Sequence, residues 1–278
     1  MSKIAVIVLV GKSAFMAVDE FHKGGETLKA NEIHYEFGGK GSNQAIAAAR
    51  YGSCVSFLGA IGSEYKKEIH DFFVSDNVKP FIVQKDDSTA FATILTDKKG
   101  ANQVTVYHGA SLDVVDVDIF ADEIRSSDVL LINNEVPMQV NERAVQIAKS
   151  AEVFVIMNPA PSIPVSKYLK NNVDLFTPNE HETDEVEDVD NLLITLGKKG
   201  CYIKSKETYI APLNIDKVVD TTGAGDTFNG VLAHCIANGC DLEQASKEAT
   251  AAAGVSVTKK YAASSIPTCD EVKAFNKE

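Results

Sequence analysis

The sequence predicts an α/β protein, a three-layer α/β/α sandwich around a mostly parallel central sheet with a small β-sheet attached. Three observations predict it. Continuous apolar, β-branched runs of strand length recur along the chain, as in strands covered on both faces. Those runs alternate with helix-length segments, and the crossover rule turns that alternation into parallel strands flanked by helices. Shorter segments in the N-terminal half alternate with period two and stand outside this rhythm.

Ile4–Val10, closed by Gly11, reads as the first buried strand. Phe21–Phe37 is polar and then alternates, and Phe81–Val83, Ala90–Thr96 and Gln103–Tyr107 add three short strands; together they make the small sheet. The Ala-rich stretch Asn43–Tyr51 is helical and ends before Gly52, ahead of the strand Val55–Ile61. Helix Val114–Ser126 leads to strand Val129–Ile132, and helix Gln139–Ser150 to strand Val153–Met157. Strands Leu175–Thr177 and Leu192–Leu196 follow, and helices near Asp226–Ala237 and Leu242–Thr258 close the pattern. With no linker, repeat or low-complexity tract, residues 1–278 read as one domain.

Composition narrows the function. The 278 residues carry a net charge of −12 and no Lys/Arg cluster, which argues against nucleic acid or an anionic membrane as partner. The five cysteines are scattered without a CxxC pair, so they read as reduced thiols of a cytoplasmic protein rather than a disulfide framework or zinc site. The apolar stretch before Gly11 is too short to span a bilayer and lacks a cleavage pattern, so it reads as a strand and not a signal peptide. Seven of the eleven residues in Glu180–Asp190 are acidic, the ordinary look of a solvated turn.

The sharpest chemical signal is Asp220-Thr221-Thr222-Gly223-Ala224-Gly225-Asp226-Thr227 at the start of an apolar helix. Small residues let main-chain amides converge there, and the helix dipole adds positive potential, which suits a phosphoryl group in transfer. Asp226, in the first turn, can accept a proton from an attacking hydroxyl. The competing reading is a plain helix cap and turn. A second cluster, Gly38-Gly39-Lys40-Gly41-Ser42-Asn43-Gln44, opens the Ala-rich helix; its glycines admit a ligand to the backbone, and Asn43 offers both donor and acceptor. Gly11-Lys12-Ser13 imitates the end of a P-loop, but Val6 occupies the position where that loop needs glycine.

Both clusters, in this order and separation, resemble the two signature segments of the ribokinase/PfkB sugar-kinase family. Landmarks elsewhere in the chain agree, among them Gly25-Glu26-Thr27, Asn158-Pro159-Ala160-Pro161, Pro178-Asn179-Glu180-His181-Glu182 and Thr195-Leu196-Gly197-Lys198-Lys199-Gly200. The resemblance implies a ribokinase-like fold and transfer of a phosphoryl group from ATP to a primary hydroxyl of a pentose or ketose, with Mg²⁺ as cofactor. Asp226 would be the catalytic base, and Gly223, Ala224 and Gly225 the anion hole. Gly39, Lys40, Gly41, Asn43 and Glu135 would hold the sugar; Asn179, Thr195, Gly197, Gly200, Gly225 and Thr250 the nucleotide. Glu182 would organise Mg²⁺ through water. Asp220, Thr222, Ser256, Lys259, Tyr261 and Ser265 would surround a K⁺ ion. The segments near 12–36 and 81–108 would form a β-lid that closes over the sugar and joins a partner's lid in a homodimer.

Three departures stand out. The family's Asn-x-Asp, whose Asp grips two sugar hydroxyls, aligns here with Ala14 and Met16, a wall suited to a less polar acceptor. The connection from Glu182 to Leu192 is short and acidic, and Tyr261 replaces a frequent glycine of the cation loop. A nucleoside kinase, and a sensor that binds sugar or nucleotide without turnover, are the alternatives; the intact Asp226 segment speaks against the sensor.

Overall fold

The computed structural model describes residues 1–275. Six strands form the central sheet: β1 (Lys3–Leu9), β4 (Cys54–Ile61), β5 (Val78–Gln84), β8 (Val129–Asn133), β9 (Phe154–Asn158) and β10 (Leu175–Phe176), in the order β10-β9-β8-β1-β4-β5. All five pairings are parallel. Along β1, Ile4, Val6 and Val8 enter one core while Ala5 and Ile7 enter the other, which is why the strand reads as an unbroken apolar run.

Helices α1 (Lys40–Arg50), α2 (Lys66–Ser75), α7 (Ala224–Ala237), α8 (Leu242–Ser256) and α9 (Cys269–Phe275) cover the first core. Helices α3 (Val114–Ile119), α4 (Ala121–Arg125), α5 (Met138–Ser150) and α6 (Lys167–Asn172) cover the second, completing the three layers. One glycine brings the two functional helices together. A Cβ on Gly230 of α7 would stand 2.3 Å from the Gln44 carbonyl of α1, so only glycine permits that approach. Among the described residues no helix is long and apolar enough to cross a membrane.

A second sheet is built from β2 (Gly11–Ala17), β3 (Glu32–Gly38), β6 (Ala90–Thr96) and β7 (Asn102–Tyr107), in the order β3-β2-β6-β7. Phe81–Val83, expected here, instead belongs to β5, where it pairs with Leu58–Ala60 at the edge of the central sheet. The reason is geometric: a half-covered edge strand shows the same short pattern as a strand of a small solvated sheet. β2 follows Val10 directly, so the chain passes from the central sheet into the second sheet without a loop.

A third sheet, β11 (Leu193–Thr195), β12 (Cys201–Ile203) and β13 (Thr208–Ile210), is antiparallel. The strand expected at Leu192–Leu196 falls in this sheet, joined to the central one by the parallel bridges Phe176 to Leu192 and Asn179 to Thr195. Lys217–Val219 is not a strand; the Val219 amide donates to the Val257 carbonyl at 2.8 Å instead. The expected helix over Val114–Ser126 breaks at Phe120, whose fully buried ring turns the chain between α3 and α4.

Candidate active site

From β1 the chain places β4 and β5 on one side and β8 to β10 on the other. The carboxyl ends at such a reversal splay apart and leave a crevice. The cluster Gly38–Gln44 enters it. Gly39 has φ 118°, and a Cβ there would stand 2.2 Å from the Leu9 carbonyl. A Cβ on Gly41 would stand 2.8 Å from Asn133 Nδ2 at the end of β8. Both glycines are therefore required for α1 to start this close to the sheet. The Lys40 amide donates to Glu135 Oε2 at 2.7 Å, and the Glu135 amide donates to Asn133 Oδ1 at 2.8 Å.

Asp226 meets this cluster from the opposite side. Gly223 caps α7 with a left-handed φ of 76°, and Asp226 in the first turn is only 7% exposed. Asn43 Nδ2 donates to its Oδ2 at 2.9 Å, and Gln44 Nε2 lies 3.4 Å from its Oδ1 and 3.2 Å from Asn158 Oδ1. The amides of Gly225 and Asp226 have no main-chain acceptor among the described residues, as the first turn of a helix dictates. A Cβ on Gly225 would meet nothing within 4 Å, so the space above the turn is open.

The electrostatics are those of a partly buried charge cluster, with Asp226 and Glu182 buried and Lys40 and Glu135 half-buried. Burial raises the Asp226 carboxyl above the usual carboxylate range, opposed first by the Lys40 ammonium. Burial also pushes Glu135 up to about 7, again with Lys40 opposing. Lys40 is raised in return, first by Asp226 and then, against the cost of burial, by Glu135 and Glu182. One ammonium among three carboxylates leaves the crevice negative, able to take up a proton and to hold a hydrated cation.

Beyond the α7 turn lies a cavity of about 680 Å³. All six residues expected to hold a nucleotide, Asn179, Thr195, Gly197, Gly200, Gly225 and Thr250, line it, with Leu213, Ile215 and Val257 as apolar wall. Asn179 and Glu182 brace each other: the Asn179 amide donates to Glu182 Oε2 and the Glu182 amide to Asn179 Oδ1, both at 3.0 Å. Gly200 has φ 89°, and a Cβ there would be 2.0 Å from the Ile210 carbonyl.

The register of the second sheet separates Ala14 and Met16 from the crevice. Ser13 and Phe15 pair with Glu36 and His34, and this face packs on the loop around Tyr261 and Ala262. Ala14 and Met16 pair with Tyr35 and Ile33 on the opposite face. Since a strand alternates with period two, Ala14 and Met16 stand on the face of β2 opposite to Ser13 and Phe15. Met16 also borders a second cleft of about 330 Å³, lined with Thr96 and Val218, which adjoins the larger cavity at Val218 and Thr221.

The residues expected around K⁺ are only partly together. Asp220 Oδ1 accepts the Thr222 amide (2.9 Å) and hydroxyl (2.7 Å), and its Oδ2 accepts the Tyr261 amide (3.0 Å). The Ser256 and Ser265 hydroxyls donate to the carbonyls of Ala253 and Ala262. The Lys259 ammonium pairs with Glu271 at 2.7 Å.

A family model described as pfkB family carbohydrate kinase matches residues 4–269. The chain belongs to this family. Like other pfkB-family carbohydrate kinases it is an ATP-dependent phosphotransferase with an alcohol acceptor. It is 34% identical to the ribokinase of Haemophilus influenzae over 98% of this chain and 97% of that protein. The crystal structure of the Thermotoga maritima ribokinase superposes with a TM-score of 0.88 at 32% identity, covering 100% of both chains. The deoxyribokinase of Salmonella typhi is 27% identical over 92% of this chain and 93% of that protein.

Within this pfkB-family site, Gln44 and Asn158 were not assigned roles from sequence, although both lie inside noted motifs. Their signal was position: Gln44 adjoins Asn43, and Asn158 ends a buried strand. Leu213 and Ile215 carry no motif at all and reach the cavity only through the fold.

Proposed function

We propose that the chain moves the γ-phosphoryl of ATP to a primary hydroxyl of a pentose or ketose in the cytoplasm, where its five free thiols stay reduced. One observation carries the reading: a buried carboxylate, Asp226, stands in the first turn of α7 between the glycine cluster of α1 and a nucleotide-sized cavity. The acceptor's hydroxyl lies against Asp226, with Glu135 and the main chain of Gly39–Gly41 as further partners. Asn43 Oδ1, buried and without a partner, is free to accept from a sugar hydroxyl. As the acceptor oxygen bonds to the γ-phosphorus, Asp226 takes the proton, the bond to the bridging oxygen breaks, and ADP leaves with that electron pair. The free amides of Gly225 and Asp226 meet the charge that grows on the transferring group.

The residues fit Mg²⁺. Glu182 is 8% exposed, one of its oxygens accepts only the Asn179 amide, and it faces Lys40 and Asp226. Oxygen ligands of this kind suit a cation that keeps much of its water, and the metal would offset phosphate charge. A K⁺ ion would be held by the Asp220 carboxylate and the Thr222 hydroxyl, with Ser256, Lys259, Tyr261 and Ser265 acting through main-chain carbonyls; the Lys259 ammonium is itself turned to Glu271.

The four-stranded sheet is the lid in this reading, and Ser13 is the residue that faces the sugar where the family has its gripping Asp. A hydroxyl in place of a carboxylate favours an acceptor short of one ring hydroxyl, such as a deoxypentose. The outer face of the lid exposes Ile33, Tyr35, Phe91 and Tyr107, which share one side by register and support a homodimer through the lid. Light scattering gives the mass that checks the dimer. The activity is tested by coupled ADP release over pentoses, deoxypentoses, ketoses and nucleosides, with the highest kcat/KM on a pentose or deoxypentose; turnover of nucleosides alone overturns the assignment.

A further inference from the structure

Strand β3 carries a buried carboxylate that the mechanism above does not use. Glu36 is 7% exposed and lies on the face of the lid that meets the body of the protein. Its Oε2 accepts the amides of Ala262 and Ala263, both at 3.1 Å, and its Oε1 accepts the amide of Ser264 at 3.0 Å and the Ser264 hydroxyl. Three successive amides pointing at one anion form a nest, which satisfies both oxygens and fixes the loop's main chain. His34 Nε2 stands 3.4 Å from Oε1, and its ring stacks on Tyr261 at 3.9 Å. Glu32 extends the seam, accepting the Tyr261 hydroxyl at 2.7 Å and the Lys260 ammonium at 3.0 Å.

This loop leads to the phosphoryl site by two contacts. A Cβ on Gly223 would lie 3.2 Å from Ala262 Cα, so the loop backs directly onto the residue that caps α7. The Tyr261 amide holds Asp220, which in turn holds the amide and hydroxyl of Thr222, one residue before Gly223. Glu36 is thus two contacts from the anion turn and touches no reacting atom.

We propose that Glu36 is a positioning residue for phosphoryl transfer. By gripping the amides of residues 262–264 it sets the loop against Gly223 and ties the placement of the lid to the geometry of the α7 turn. The inference rests on the reading of that turn as the phosphoryl site. Its consequence is a defect in kcat more than in binding, because neither the sugar nor the nucleotide pocket loses a contact.

The test is steady-state kinetics of Glu36→Gln, which keeps shape but turns an N–H₂ group toward main-chain donors. The expected result is a kcat about 10- to 100-fold lower, the loss associated with misplacement of a reacting group. KM for ATP and for the sugar should stay within about threefold of the parent, the signature of an interaction felt in the transition state. Glu32→Gln, which loosens the outer seam without touching the nest, should lower kcat by less than about threefold, since its pairs are solvent-exposed. An unchanged kcat in folded Glu36→Gln overturns the proposal, as does a rise in both KM values that matches the fall in kcat. Should Glu36→Gln fail to fold, Ser264→Ala removes one of the four donors, and the proposal then requires a smaller loss of kcat at constant KM. Asp226→Asn in parallel separates the two levels: if it keeps turnover, the phosphoryl site itself is misplaced, whereas an inactive Asp226→Asn beside a fully active Glu36→Gln sinks this inference alone.

Discussion

The two halves of the proposed active site, one for the acceptor and one for the nucleotide, are built from different materials. The acceptor half is made of partly buried charge, with Lys40 among Asp226, Glu135 and Glu182 and amide side chains of Asn43, Gln44 and Asn158 beside them. The nucleotide half is made of main chain, with left-handed glycines at 197 and 200, the open turn at Gly225 and an apolar wall. A half built on charge responds to pH and to any substitution that alters protonation. A half built on turns tolerates changed side chains but not an added Cβ.

The largest effect should come from Asp226→Asn, which keeps shape and removes the base; kcat should fall about 10³-fold. Calorimetric ATP binding should persist, and loss of that binding would mean the two halves are not separable. Next, Glu135→Gln should raise the sugar KM about tenfold or more, the worth of one charge-assisted hydrogen bond. Because the Glu135 carboxyl sits at about 7, it is protonated below that pH and ionised above it. The parent's sugar affinity should therefore weaken as pH falls through 7, and Glu135→Gln should flatten that limb of the kcat/KM profile.

On the nucleotide side, Gly200→Ala forces a Cβ onto the Ile210 carbonyl at a positive φ and should cost about 2 kcal/mol. The readout is a lower Tm with a raised KM for ATP and an unmoved pH profile. The smallest effect sharpens the acceptor side: Ser13→Asp should lower the ribose KM up to about tenfold by restoring a charge-assisted bond. Met16→Ala should leave KM unchanged, and the reverse outcome would put the other face of β2 against the sugar.

Six residues that line the larger cavity were legible in the sequence as a group. Positions such as Gly197, Gly200 and Gly225 answer to local backbone demands, and such demands leave a local string. The acceptor half was legible in part. Asp226, Asn43 and Glu135 stand in motifs, but which face of β2 carries Ala14 and Met16 is not marked in the sequence. A one-residue shift along a strand turns a side chain to the other face, and nothing within Gly11–Ala17 shows which face will be covered. Phe81–Val83 was misplaced for a related reason: three apolar residues on an edge strand look alike in either sheet.

The sequence by itself determined the repeating strand and helix pattern, the two glycine clusters and the carboxylate at the start of α7, because each depends on residues close together in the chain. Only the tertiary structure decided which face of β2 looks inward and that Glu36 grips a loop more than two hundred residues later. It also decided that Lys40 sits among three carboxylates. Those contacts depend on strand register and on the packing of distant segments, which no short stretch of sequence encodes.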